Sequence, residues 1–189
     1  MSRKWKILDQ TKPYFVSFAV IHWIDLFIRN EYRDILLDSL SFCQEKKGLE
    51  VHAWCIMTSH VHLIIGTNGN PMQNILRDFK SFTSKKLREA IHENSFESRK
   101  EWLLQMMYES GLENSNNRGF QLWQQHNHPI ELSTNEMIDQ RLHYTHYNPV
   151  EAGFVSSPED YLYSSARDYA GEQGLLKINS TLQIFIISL

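Results

Sequence analysis

Only two cysteines, Cys43 and Cys55, occur in the 189 residues, and they form no CxxC or zinc-knuckle spacing. That scarcity excludes a disulfide scaffold and thiolate metal ligation, and it fits a reducing, cytoplasmic compartment. No run of ~18 apolar residues is present, which argues against a membrane-spanning helix. The basic start, MSRKWKILDQTKPYF, reads as no secretory signal because it lacks an apolar stretch. Internal repeats and low-complexity segments are missing too. So is an excess of positive charge: the formal net charge is −3, a mild argument against a nucleic-acid binder. Net charge is a blunt measure, however, since phosphate binding depends on where the cations sit. What remains is an ordinary globular composition, 42% hydrophobic and 22% charged, enough for one domain with a real core over residues 1–189.

Periodicity organises the chain. Pro13 to Phe27 is aromatic and β-branched, with a strand predicted in its first half. Ile35, Leu36, Leu40 and Cys43 mark a helix over Tyr32 to Glu45, stopped by Gly48. Leu49 to Met57 and His60 to Gly66 read as a hairpin joined at Thr58-Ser59. Asn70-Pro71 opens a helix whose buried stripe runs from Met72 to Ile91, and a second helix spans about Arg99 to Glu109. Glu113 to Gly119 (ENSNNRG) is expected to be a mobile loop. Phe120 to Leu132 is a further strand candidate, and Ser133-Thr134 starts a helix that Asn148-Pro149 should end near Tyr147. Ser157-Pro158-Glu159 begins a short last helix, and the apolar tail Thr181 to Leu189 reads as a packing strand. The order implies an α+β sandwich with a mainly antiparallel sheet.

Four features carry potential chemistry. In His60-Val61-His62, a strand sends both imidazoles to one face, where they can share a divalent ion. The plain alternative is two surface histidines on a sheet. His126-Asn127-His128 is a second such pair, but its polar centre and following Pro129 give it no anchored strand. In Arg141 to Pro149 (RLHYTHYNP), Tyr144 and Asn148 share a helix face, as do His143 and Tyr147. Aromatics at that spacing are more often core, and the residues alone do not choose between the two tyrosines. Lastly, Arg77, Lys80, Lys85, Lys86 and Arg88 outnumber Asp78 and Glu89 between Pro71 and Ile91, so this helix offers a cationic face to phosphates. A merely solvated face explains it as well.

Together, HAWCIMTSHVHLIIG, FKSFTSKKL and HYTHYNPVEAGFV resemble the single-tyrosine HUH transposases, and most closely the REP-associated tyrosine transposases. The resemblance covers about residues 14 to 170. It implies a ferredoxin-like sandwich, with the His-hydrophobic-His strand central in the sheet and helices packed on it. It implies Tyr144 as nucleophile, because the family's tyrosine lies four residues before the Asn of Asn-Pro. It also implies His60, His62 and Asn148 as ligands of Mg²⁺ or Mn²⁺. Thr58-Ser59 departs from the Pro-Asn type of pair that relatives often carry before the first His.

The activity implied is metal-dependent cutting and rejoining of single-stranded DNA, at a hairpin, through a 5′-phosphotyrosine intermediate. Trp102, Trp123 and the Gln124 to His128 segment offer groups for bases. A homodimer and a monomer are both compatible with the resemblance. The alternative is a catalytically inactive protein that only binds hairpin DNA. Histidine-triad nucleotide hydrolases are a poorer match, since they need a further His where this chain has Ile64. A two-histidine phosphodiesterase would need a second His-x-Ser/Thr motif, which is absent.

Overall fold

Alternation of side chains builds the sheet, and three antiparallel pairings fix its order. The computed structural model describes residues 7–114, 119–125 and 127–179. In chain order its elements are β1 (Tyr14–Ala19), α1 (Asn30–Lys47), β2 (Leu49–Ile56), β3 (His60–Thr67), α2 (Met72–Glu93), α3 (Lys100–Leu112), β4 (Ile130–Glu131), α4 (Asn135–Glu151) and α5 (Ala166–Tyr169). The strands are ordered β2-β3-β1-β4, every neighbouring pair antiparallel. This is the βαββαβ arrangement of a ferredoxin-like sandwich, with the histidine strand β3 inside the sheet.

The two faces of the sheet are covered unequally. Tyr14, Val16 and Phe18 of β1, with Val61, Leu63 and Ile65 of β3, point into a large core against α1, α2 and α3. Tyr32, Leu36 and Leu40 of α1 and Ile75, Leu76 and Phe79 of α2 meet them there, each buried. The other face carries Phe15, Ala53 and Ile64, which pack on Leu132 and on Ile138 of α4 in a much smaller cluster. His60 and His62 share the parity of Ile64, so the sheet delivers both to this thinner side.

Local chemistry sets the ends. Gly48 closes α1 at φ +72°, and a Cβ there would lie 2.5 Å from the Asn68 carbonyl oxygen, so glycine is required. Thr134 caps α4 by accepting a hydrogen bond at Oγ1 from the Met137 N–H at 3.2 Å. On the edge strand β2, Ser164 bridges Cys55 and the Asn179 N–H donates to the Val51 carbonyl, so part of that edge is covered.

Three expectations need correction. The strand expected across Phe120 to Leu132 is broken: Trp123 bridges Val20, but regular pairing resumes only at Ile130–Glu131. His128 at φ +43° and Pro129, which lacks an N–H, interrupt the ladder between them. Helix α4 does not stop near Tyr147 but continues through Pro149 to Glu151. Proline in a final turn forfeits one backbone bond, and the Asn148 carbonyl still accepts from the Ala152 N–H at 3.0 Å. Ser157-Pro158 starts only a single 3₁₀ turn, with α5 following six residues beyond it. Much of the expected loop (residues 115–118) and the whole of the tail strand over 181–189 lie outside the described residues, as does His126.

Candidate functional site

The turn before β3 is held from several sides. The Val20 N–H donates to the Ser59 carbonyl at 2.9 Å and the Phe27 N–H to the Thr58 carbonyl at 2.8 Å. Thr58 Oγ1 donates to Asp25 at 2.6 Å. Thr58-Ser59 thus makes a well-braced entry to the histidine strand. Beyond it, the rings of His60 and His62 stand 4.7 Å apart at 71°. Their neighbours across the sheet on β1 are the small residues Ala19 and Ser17, which leave the imidazoles room.

Helix α4 lies over this pair. The Tyr144 ring meets His62 edge-on at 5.1 Å, while Phe15 stacks on His62 at 5.5 Å and meets Tyr144 at 5.9 Å. One turn further on, the Asn148 side chain hydrogen-bonds His60. Tyr147 instead stacks on His143 at 4.0 Å, on another face of the helix. The structure therefore brings His60, His62, Tyr144 and Asn148 together, and leaves Tyr147 outside the group.

The electrostatics keep these imidazoles neutral. Burial, then His60 and Arg141, push His62 down to about 3. Burial also lowers His60, partly offset by the Asn148 hydrogen bond. Both ring nitrogens of His62 are buried without a hydrogen-bond partner, a costly state for an imidazole unless it serves as a ligand. A neutral imidazole with an open lone pair is the form that binds a metal ion. Among the described residues, no group of three or more His, Cys, Asp or Glu is assembled for a metal. An ion here would be held by two imidazoles and the Asn148 amide, with water or phosphate completing its shell.

Two neighbours escaped the sequence reading. The Arg141 guanidinium lies 5.1 Å from the Phe15 ring centroid and 6.0 Å from that of Tyr144. Its i,i+3 spacing from Tyr144 was a usable signal. Phe15 had none, because only the register of β1 on β3 places it beside His62.

The expected cationic face of α2 lies on the other layer. Arg77, Lys85, Lys86 and Arg88 are exposed, although Arg77 pairs with Asp78 at 3.0 Å and Lys86 with Glu89 at 3.2 Å. Lys80 turns inward: its ammonium donates to the Gln124 carbonyl and to Asn127 Oδ1, both at 2.8 Å. Desolvation lowers it to about 8, and it ties α2 to the broken strand rather than facing solvent phosphate. Trp123 is buried, its indole N–H donating to Thr83 Oγ1 at 3.0 Å, so it is core, whereas Trp102 is exposed.

The site is thus a ferredoxin-like sheet with paired imidazoles on an inner strand and a tyrosine from the covering helix against them. The sequence model of the family described as Transposase IS200 like matches residues 25–117, a span that holds His60 and His62 and ends before Tyr144. A REP-associated tyrosine transposase, solved bound to a REP hairpin, is similar in structure with a TM-score of 0.63 at 14% identity, over 95% of this chain and 92% of its own. At that identity the likeness is one of fold. A transposase candidate from Deinococcus radiodurans R1 is similar at a TM-score of 0.42 and 18% identity, over 77% of this chain and 98% of its own. A bacterial tRNA(His) guanylyltransferase-like protein in complex with GTP also reaches 0.42, at 10% identity, over 78% of this chain and 68% of its own. No curated protein matches the sequence. The chain is therefore similar in sequence to the IS200-like transposases over residues 25–117, and in fold to a REP-associated tyrosine transposase.

Proposed function

We propose that this chain cuts and rejoins single-stranded DNA, at a hairpin, using Tyr144 as nucleophile. The observation that carries this reading is the packing of the Tyr144 ring 5.1 Å from His62, beside His60 and Asn148. The Tyr144 oxygen would bond to phosphorus as the bond to the 3′ oxygen breaks. The phenol loses its proton and the departing 3′ oxygen gains one. The product is a 5′-phosphotyrosine link and a free 3′-hydroxyl, which keeps the bond energy so that a second 3′-hydroxyl can displace the tyrosine without a nucleotide cofactor. Bound Mg²⁺ or Mn²⁺ would supply charge neutralisation at the scissile phosphate.

The chain's own residues do the rest. His60, His62 and Asn148 would hold the ion, and Phe15 packs against both His62 and Tyr144 and fixes their relative orientation. Arg141 places a fixed positive charge near Tyr144, where a phosphate must come. On the opposite layer, Arg77, Lys85, Lys86 and Arg88 are assigned to backbone phosphates of the hairpin. Lys80 serves this reading only indirectly, by holding residues 124–127 to α2.

Covalent capture tests the reading. Wild-type protein with labelled single-stranded hairpin DNA and Mn²⁺ should yield an adduct that survives denaturation. Tyr144→Phe should lose it while still binding the DNA, and Tyr147→Phe should keep it. An adduct that persists in Tyr144→Phe and vanishes in Tyr147→Phe would overturn the assignment. Tight binding of hairpins with no adduct from the wild type would favour a binding-only protein.

A further inference from the structure

Between β1 and α1 the backbone turns over at Ile21–Trp23 with two consecutive residues in the left-handed region, His22 at φ 53° and Trp23 at φ 55°. Neither is glycine, and left-handed backbone in a bulky L-residue is held only where its surroundings enforce it. Here they do. The bend is tied at one end by the Val20 N–H to the Ser59 carbonyl and at the other by the Phe27 N–H to the Thr58 carbonyl. Between these, Asp25 accepts from Thr58 Oγ1 with its carboxylate and from Arg99 Nη1 at 2.8 Å with its carbonyl.

The result of this bracing is an indole turned outward. Trp23 is 58% exposed, yet it lies 5.4 Å from the His60 ring in an edge contact at 74°. A large aromatic surface is thus fixed in solvent beside the imidazole pair. The same bend walls a polar cleft of about 690 Å³, which His22 shares with Ser110, Glu113, Gln121, Gln124 and Gln125. His22 is itself held by a 2.9 Å hydrogen bond to Ser110. The Gln121 and Gln124 amides are oriented by donating to the Trp123 and Val20 carbonyls at 3.0 and 3.2 Å, and the amides of the cleft match the hydrogen-bonding edges of nucleobases, whereas a phosphate site would need cations.

We infer that Trp23 is a stacking platform for one unpaired nucleobase next to the scissile phosphate, with the edge of that base turned toward the His22–Gln124–Gln125 cleft. The inference rests on the reading of Tyr144 and the imidazole pair given above. An indole accepts any base on its face, so Trp23 supplies grip at that nucleotide and the cleft supplies preference.

The test uses the full chain and a labelled hairpin oligonucleotide with a single-stranded flank, in which each flank nucleotide is made abasic in turn. With wild-type protein, one abasic position beside the cut should slow adduct formation roughly 10- to 100-fold. Trp23→Ala should react with the intact oligonucleotide about that slowly, and the abasic substitution should then cost nothing further. Trp23→Phe should recover most of the rate. If Trp23→Ala slows the intact and abasic oligonucleotides by the same factor, Trp23 acts through His60 and the inference is overturned. A Trp23→Ala rate equal to wild type overturns it as well, while leaving Tyr144 in place. Binding separates the two readings when no adduct forms. The same oligonucleotide should quench indole emission of Tyr144→Phe protein, and replacing Trp23 by Phe in that background should remove most of the quench. Undiminished quenching would sink the stacking role whatever the state of the chemistry.

Discussion

The two faces of the sheet differ in what they bury. The face toward α1, α2 and α3 is lined by Val61, Leu63 and Ile65 of β3, all fully buried among apolar partners. The face toward α4 buries Phe15, Ala53 and Ile64 of the sheet in a small apolar cluster, with Ile130 of β4 half-buried against them, and beside them sits His62 with two unpartnered ring nitrogens. Adjacent residues of one strand therefore serve opposite ends. Leu63 contributes stability, while the buried, unsatisfied His62 costs it. A sheet that is over-supplied with core on one side can tolerate buried, unpartnered polar atoms on the other.

The sharpest way to break this comparison is to truncate neighbours on β3. His62→Ala should abolish adduct formation, by about 100-fold or more if residual chemistry is detectable, since the proposed metal ligand in contact with the proposed nucleophile is lost. Its effect on stability should stay within about 1 kcal/mol, because lost packing on Phe15 is offset by removal of a desolvated imidazole. Leu63→Ala should do the reverse, costing about 2–5 kcal/mol in chemical denaturation while leaving the ligands themselves in place. Equal destabilisation by the two changes would mean that the His62 face is as well packed as the other.

That division was only partly legible in the sequence. The hairpin of β2 and β3 could be read because alternation and β-branched residues make a local signal, and the parity of His60 and His62 follows from it. The choice between Tyr144 and Tyr147 could not be read from spacing, since both lie on helical faces near an aromatic or amide partner. Which of the two rings lies against His62 is set by the rotation of α4, which Ile138 fixes against Phe15 and Ile64, and which His146 fixes through its 2.9 Å hydrogen bond to Ser165. Those contacts are long-range and leave no periodic trace. The inward turn of Lys80 has the same origin, because its acceptors lie on Gln124 and Asn127, far along the chain. The outward turn of Trp23 had no local sign at all, since its left-handed backbone is imposed by Thr58, Ser59 and Arg99 rather than by a glycine.

Acid should separate the two faces next. Burial, then His143, pushes His146 under α4 down to about 4 from an ordinary 6.5. Its folded value is lowered, so the unfolded chain takes up the proton first, and stability falls as pH drops from about 6.5 to 4. On the opposite side of the molecule, Glu97 is buried between Arg99 and Arg29, with contacts of 3.0 and 2.9 Å. Hydrogen bonding from Arg99, ahead of that from Arg29, holds it down to about 2 from 4.5. A depressed carboxylate stabilises fully above its unfolded value, so this contribution is lost only as pH falls from about 4.5 toward 2. The His146 shift corresponds to stability on the order of 3 kcal/mol, and the Glu97 shift to less, because its arginine partners are about 30% exposed and screened by solvent. In urea titrations across pH, His146→Gln should flatten the upper part of the decline and Glu97→Gln the lower. His62 shares the upper window, so some slope will remain there in His146→Gln. A decline confined below pH 4 in the wild type would show that His146 is not held neutral by burial.

The smallest effect belongs to the cations of α2. Lys85 and Lys86 are exposed on the layer away from the imidazoles and are partly neutralised by Glu89, at 3.9 and 3.2 Å. If they meet hairpin phosphates, they do so without touching the reacting group. Replacing both by Ala should weaken binding of every hairpin by a similar modest factor and reduce the salt slope by roughly 2. The rate of adduct formation at saturating DNA should not change. Lys80→Met makes the complementary control, because its ammonium is already committed to Gln124 and Asn127. It should leave the salt slope intact and act instead through looser attachment of residues 124–127. Should Lys80→Met lower the salt slope while the Lys85 and Lys86 pair leaves it unchanged, the phosphate path runs along the broken strand at the sheet edge. The thin face would then bind the strand as well as cut it, and the thick face would be core alone.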